Sequence, residues 1–181
     1  EACAEMAREM GLHVRVGYIG GGTPSSLTTS QLESLLNHIE KHFGTMEEFT
    51  VEAGRPDTLD EQKLRMIHHH PVTRISINPQ TMNDETLVRI GRAHTAQQTI
   101  QAYKLARHIG FDDINMDVIA ALPGENYAMF AHTLEEIRKL QPESLTVHTL
   151  AIKRSSRLHE EKYAQREQDV ARMVALGRQT A

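Results

Sequence analysis

Among its 181 residues the chain has a single cysteine, Cys3. That excludes an internal disulfide framework and any all-cysteine metal site built within the chain. No stretch approaches the apolar length that crosses a bilayer, and the first residues lack a signal-peptide pattern, so a membrane span is not expected. Basic residues are not in excess: 20 Lys and Arg face 24 Asp and Glu, for a formal net charge of −4. Without a basic stripe to lie along a phosphate backbone, nucleic acid is not an expected partner. A Pro/Gly/Ser-rich linker is also missing. What remains is 39% hydrophobic with mixed charge, the balance of a soluble globular domain, expected in the cytoplasm. The chain opens on Glu1 without an initiator methionine, and "EACAEMAREMG" reads as the last turns of a helix stopped by Gly11, as in a piece of a longer polypeptide.

Strand and helix patterns alternate along the chain. "HVRVGYI" precedes a helix from about Ser30 to Phe43, with Leu32, Leu35, Leu36, Ile39 and Phe43 on one face. Thr28 and Gln31 offer it a capping box, and Gly44 stops it. "EFTVEA" leads to a helix over 59–69, for which Thr58 and Glu61 predict the same entry. "TRISINPQ" precedes helical segments after Asn83 and from Thr95 to Ile109, "DDINMDVIAAL" precedes one after Asn126, and "SLTVHTL" follows. Strands spaced by roughly 25 to 40 residues match βαβ units, and so a parallel α/β sheet. Residues 158–181 read as a charged, truncated C-terminal segment, expected to be helical, with Val170, Met173, Val174 and Leu176 as a thin apolar stripe.

Parity within the strands decides between a flat sheet and a barrel. Parallel strands covered on both faces read as continuous apolar runs. Here Ile114, Met116 and Val118 alternate with Asn115 and Asp117, Val51 opposes Glu52, and Ile75 and Ile77 oppose Ser76 and Asn78. One greasy and one polar face suit a barrel or partial barrel with a ligand in its lumen. Glu52, Gln80 and Asp117 then fall at or just beyond the C-terminal strand ends, where such barrels place their chemistry.

The stretch "GYIGGGTPSSL" reaches that same rim. Three glycines between a strand and a helix remove side chains and let backbone N–H and C=O groups approach a ligand. The spacing is not a phosphate-binding G-x-x-x-x-G-K-[ST] loop, since no Lys follows. Nor is it a dinucleotide G-x-G-x-x-G, since Ser25 stands at the third glycine position. A tight βα turn without a ligand is the alternative. "HHH" at 68–70 lies at a helix end before Pro71, where three consecutive side chains do not converge on one ion, and it reads as a solvated terminal turn. His148 has the lumen parity, either approaching a substrate or hydrogen-bonded within the core.

The segments "YIGGGTPSSL", "FTVEAGRPDTL", "RISINPQTMNDETLVRIGRAHT", "GFDDINMDVIAALPGE" and "LTVHTLAIKRSSRL" resemble, in order, the barrel of the radical S-adenosylmethionine (SAM) oxygen-independent coproporphyrinogen III oxidases, or coproporphyrinogen dehydrogenases. The resemblance implies a partial (β/α) TIM-type barrel over residues 1–157, holding strands 2 to 6 of the family, with the first strand and the cluster loop upstream of Glu1. It implies that Gly20, Gly21, Gly22 and Thr23 contact the methionyl end of SAM. Glu52, Gln80, Arg92 and Asp117 take its polar groups, and the Ala151 backbone touches its adenine. A guanidinium suits the cofactor's carboxylate, and acceptors suit its ammonium and ribose hydroxyls. The implied reaction is radical decarboxylation of two propionates of a porphyrinogen substrate in haem biosynthesis. Lys153, Arg154 and Arg157 beyond the last strand are candidate cations for substrate carboxylates, with a solvated charge run as the alternative.

Two departures accompany the resemblance. The family's [4Fe-4S] cluster sits on a C-x-x-x-C-x-x-C loop that this chain does not contain, so its ligands are expected outside the chain and Cys3 is expected to be a structural or free thiol. Ala120 and Ala121 replace a glycine before Leu122-Pro123. Two other functions stay open: a haem-binding chaperone on the same barrel, and a non-radical (β/α)-barrel enzyme holding a phosphate-bearing ligand at the glycine lip.

Overall fold

The computed structural model describes residues 2–150 and 167–180. Helix α1 (Ala2–Glu9) leads into strand β1 (Val16–Ile19), followed by α2 (Thr29–Phe43), β2 (Glu48–Gly54), α3 (Glu61–His69) and β3 (Arg74–Gln80). Two helices, α4 (Asp84–Arg89) and α5 (Ala96–Ile109), precede β4 (Ile114–Ala120). Then come α6 (Tyr127–Leu140), β5 (Ser144–Thr149) and α7 (Glu167–Thr180). The five strands form one parallel sheet in sequential order, β1-β2-β3-β4-β5. It is a curled half-barrel with helices on its outer face.

The strand alternation sets this curvature. Val51, Ala53, Ile75, Ile77, Ile114, Met116 and Val118 are fully buried. They share one core with Leu32, Leu36, Leu64, Ile67, Tyr103, Phe130, Leu134 and Ile137 of the helices. Each Val, Leu, Ile, Phe or Met among them contributes about 1.5–3 kcal/mol by leaving water. The apolar stripe of residues 170–176 finds its partner here: α7 packs on α6 and β5, with Met173 buried. A Cβ at Gly177 would lie 2.8 Å from Val147 Cγ2, so the bare backbone brings α7 close to β5.

The capping box of Thr28 and Gln31 is present, and Thr95 forms a second one with Gln98. The entry of α3 differs from expectation. Asp60 is its N-cap, accepting from Lys63 N at 2.7 Å. Thr58 instead ends a short turn over Pro56–Thr58, its hydroxyl donating to Arg55 O. Pro56 favours that turn, moving the helix start two residues on. In the histidine run His68 and His69 are exposed, as the pattern predicts, and His70 departs from it. His70 is buried with Nδ1 3.2 Å from Glu40 Oε2, while His68 meets Phe111 edge-on and Gly110 O. His68 and His70 thus face different partners. Cys3 is an exposed free thiol. Among the described residues no helix is long and apolar enough to cross a membrane.

Candidate functional site

The polar strand face lines the concave side of the sheet, and one hydrogen-bonded chain crosses four strands there. Asn78 Nδ2 donates to Glu52 Oε1 at 3.2 Å, and Ser76 Oγ donates to Asn78 Oδ1 at 2.7 Å. Asn115 Nδ2 donates to Ser76 Oγ at 2.8 Å and to Asp117 Oδ1 at 2.6 Å. Ser144 and Thr146 hydroxyls donate to Asn115 Oδ1 at 3.1 and 3.0 Å. Ser76 and Asn78 are buried despite their polarity, which is tolerable because each has partners. The chain leaves Glu52 Oε2 and Asp117 Oδ2 for other contacts. A cavity of about 340 Å³ opens here, lined by Tyr18, Thr50, Asn115, Asp117, Thr146 and His148 among others.

Glu52 and Asp117 converge on Tyr18. Burial, with the negative charges of Glu52 and Asp117 adding to it, holds the Tyr18 phenol above its ordinary pKa. His148 does take the lumen side, half-exposed, with Nε2 3.7 Å from Asp117 Oδ2. Gly20 needs its missing side chain: a Cβ there would stand 2.4 Å from Tyr18 Cε1 and 3.0 Å from Glu52 Oε2. Gly21 and Gly22 adopt φ of 86° and 77°, a region that costs other residues roughly 1–2 kcal/mol. Thr23 turns inward onto Gly54, whose Cβ position lies 3.5 Å from Thr23 Cγ2.

The lip is anchored from below. Ser25 Oγ donates to Ala53 O at 2.7 Å, and the buried Lys63 ammonium donates to Ser25 O at 2.6 Å and Thr58 O at 3.2 Å. A buried ammonium with two carbonyl partners fixes loop positions at a desolvation cost that those bonds offset. Lys63 reads in the sequence as a solvated helix residue, so its role was not visible there.

Gln80 closes β3 in a left-handed conformation, φ 66°, and is buried. The preceding carbonyl, Pro79 O, is held 3.2 Å from His94 Nε2. Arg92 lies in the segment between α4 and α5, half-buried. Burial lowers its guanidinium pKa, as does the like charge of Arg55, against the pull of Asp57 and Glu52. An arginine stays protonated under all these influences. Arg92 is therefore electrostatically coupled to Glu52. The structure thus gathers Gly20, Glu52 and Asp117 around Tyr18, while Gln80 and Arg92 sit along the same rim. Ala151, Lys153, Arg154 and Arg157 lie outside the described residues.

Residues 1–137 match the Radical SAM superfamily. The chain belongs to that superfamily. Within it, the chain is 46% identical to the oxygen-independent coproporphyrinogen-III oxidase-like protein HemZ of Bacillus subtilis (strain 168), over 94% of this chain and 35% of that protein. It is 36% identical to the haem chaperone HemW of the same organism, over 75% of this chain and 36% of HemW. The structure of Escherichia coli coproporphyrinogen III oxidase, HemN, a radical SAM enzyme, superposes with a TM-score of 0.81 at 25% identity, covering 94% of this chain and 41% of that one. The chain thus spans about a third of the length of these sequence relatives, and the half-barrel is their partial radical SAM barrel.

The residues of this radical SAM half-barrel suit one of the superfamily's two cofactors. A lip without side chains, inward carboxylates and a rim guanidinium match the amino-acid and ribose groups of SAM in donor and acceptor type. An iron–sulfur cluster is not matched: among the described residues no three His, Cys, Asp or Glu side chains group to hold a metal, and Cys3 is exposed on α1.

Proposed function

We propose that this half-barrel is the SAM-binding part of a radical enzyme of haem biosynthesis, one that oxidatively decarboxylates coproporphyrinogen III to protoporphyrinogen IX. The observation that carries the proposal is the side-chain-free lip of Gly20–Gly22 set against Glu52 and Asp117, on a barrel of this superfamily. Bound SAM would supply an oxidising radical once reduced by a cluster. The chain's own residues would position it. Arg92 would pair the methionyl carboxylate, Gly20, Gly21, Gly22 and Thr23 would line the methionyl end, and Glu52, Gln80 and Asp117 would accept from the ammonium and ribose hydroxyls. Ala151 would offer its backbone to the adenine. The cavity beside Asp117 and His148 would face the porphyrinogen.

The similarity to HemW favours a second reading, a haem chaperone on the same barrel. The experiment uses the full-length protein, anaerobically reconstituted. Calorimetry with SAM and with haem, then product analysis with coproporphyrinogen III in the presence of excess SAM, a low-potential reductant and an electron acceptor, should give saturable SAM binding and two losses of CO2 per substrate. Binding of SAM and haem without decarboxylation would replace the oxidase with the chaperone. Absence of SAM binding at millimolar concentration would overturn both.

A further inference from the structure

Arg55 is the rim residue that the parts assigned above leave unused. It follows Gly54, whose Cβ position lies 3.5 Å from Thr23 Cγ2, at the C-terminal end of β2. Its side chain is one-third exposed and held by Asp57: Nε donates to Oδ1 at 3.2 Å and Nη2 to Oδ2 at 2.8 Å. That uses two of the five N–H groups of a guanidinium. Both on Nη1 and the second on Nη2 have no acceptor among the described residues.

His94 also approaches Asp57. His94, whose side chain is fully buried, points Nδ1 at Asp57 Oδ1 across 3.7 Å, and its Nε2 meets Pro79 O. Nδ1 has no hydrogen-bond partner. Burial first, then the charges of Arg92 and Arg55, lower the His94 pKa, against Asp57 and the Pro79 carbonyl. The charge of Arg55 is among the influences that lower the Arg92 pKa, His94 two residues beyond Arg92 approaches the Asp57 that holds Arg55, and Glu52 is already engaged by Asn78. A guanidinium with free N–H groups, next in sequence to the Gly54 that packs on Thr23 and carrying a charge felt by Arg92, makes a place that gains from an incoming carboxylate.

We propose that Arg55 is a ligand-binding residue that, together with Arg92, seats a carboxylate at the rim, with Asp57 holding its fork in the binding orientation. The carboxylate is that of the α-amino acid end of SAM, so the inference rests on the SAM reading above. Asp57 and His94 act as positioning residues, since they reach the ligand only through Arg55 and the Pro79–Gln80 backbone.

The test separates carboxylate recognition from general loosening of the site. Full-length protein, wild type and Arg55→Gln, is titrated calorimetrically with SAM and with decarboxylated SAM, which lacks only the carboxylate. Loss of charge-assisted bonds weakens SAM binding by about 10- to 100-fold, whereas the analogue should bind the two proteins within about threefold of each other. Arg92→Gln is carried alongside. If the wild type binds SAM and only Arg92→Gln discriminates the two ligands, Arg55 is not at the carboxylate and the inference fails while the SAM reading stands. Equal loss for both ligands in Arg55→Gln also overturns it. No SAM binding by folded wild type overturns inference and reading together. Should Arg55→Gln fail to fold, Arg55→Lys keeps the charge without the fork and carries the same comparison. An intermediate loss confined to SAM supports the proposal, and no ligand discrimination overturns it.

Discussion

Asn115 is the node on which the polar lumen depends, and replacing it with leucine gives the clearest quantitative expectation. The substitution removes two donated bonds, to Ser76 Oγ and Asp117 Oδ1, and two accepted ones, from Ser144 and Thr146. At about 1 kcal/mol for each neutral bond and 1.5–3 kcal/mol for the one to a carboxylate, the gross loss is roughly 4–6 kcal/mol. Thr146 is exposed, and Ser144 and Asp117 are half-exposed, so water in the cavity replaces much of what those three lose. Ser76 is 2% exposed and regains nothing, although it keeps its bond to Asn78. The net expectation is about 2 kcal/mol of destabilisation, read as a lower urea midpoint with an unchanged slope in a side-by-side titration with wild type. Asn115→Asp sharpens the test. A second carboxylate beside Asp117 raises the pKa of the pair in the folded state, so this variant's stability deficit should grow as pH rises from 4 to 8. A loss below about 0.5 kcal/mol for Asn115→Leu, or a pH-independent deficit for Asn115→Asp, would refute the network as a support of the lumen.

Glu125 gives a second pH test. Burial, against bonds from Thr81, Asn83 and Thr86, raises its pKa. Its folded form therefore holds the proton more tightly than the unfolded chain, and the associated stability is present at low pH and lost as pH rises through the raised value. Glu125→Gln should be more favourable relative to wild type at pH 7 than at pH 4, by paired denaturation curves; the reverse order would contradict the burial argument. Gly20→Ala places a methyl against Tyr18 and Glu52 without demanding a left-handed backbone. Tyr18 is exposed and its ring can swing aside, so the melting temperature should fall only slightly while SAM binding weakens by about tenfold or more, a change of about 1.4 kcal/mol; an unaltered affinity would remove the lip from the site. Gln141 ends α6 at φ 57° with an exposed side chain. Gln141→Gly should stabilise by about 0.5–1 kcal/mol through relief of the left-handed conformation, measured by thermal unfolding, and a loss of stability would show that its side chain matters.

The strict alternation of Ile114, Met116 and Val118 with Asn115 and Asp117 determined by itself that the sheet would curl with a polar lumen. A parallel strand burying only one face can satisfy both kinds of side chain only in that way. Local chemistry was likewise enough for the helix entries at Thr28 and Thr95, where the capping bonds close within three residues. It misled at Thr58, because Pro56 and Asp60 nearby compete for the same backbone. The glycine lip could be recognised as bare backbone, but its need for bareness came from Tyr18 and Glu52, one of them 32 residues away. Arg55, Lys63 and His94 carry no signal of their own in the sequence. A lysine on a helix is ordinarily solvated, and only the approach of α3 to the lip buries the Lys63 ammonium between Ser25 O and Thr58 O. The pairing of Arg55 with Asp57, and of Asp57 with a histidine 37 residues further on, depends on the β2 and β3 ends lying side by side. Periodicity and capping act over a few residues and are legible in order along the chain. The charge balance at the rim is a sum over groups that only the folded sheet brings within range of one another.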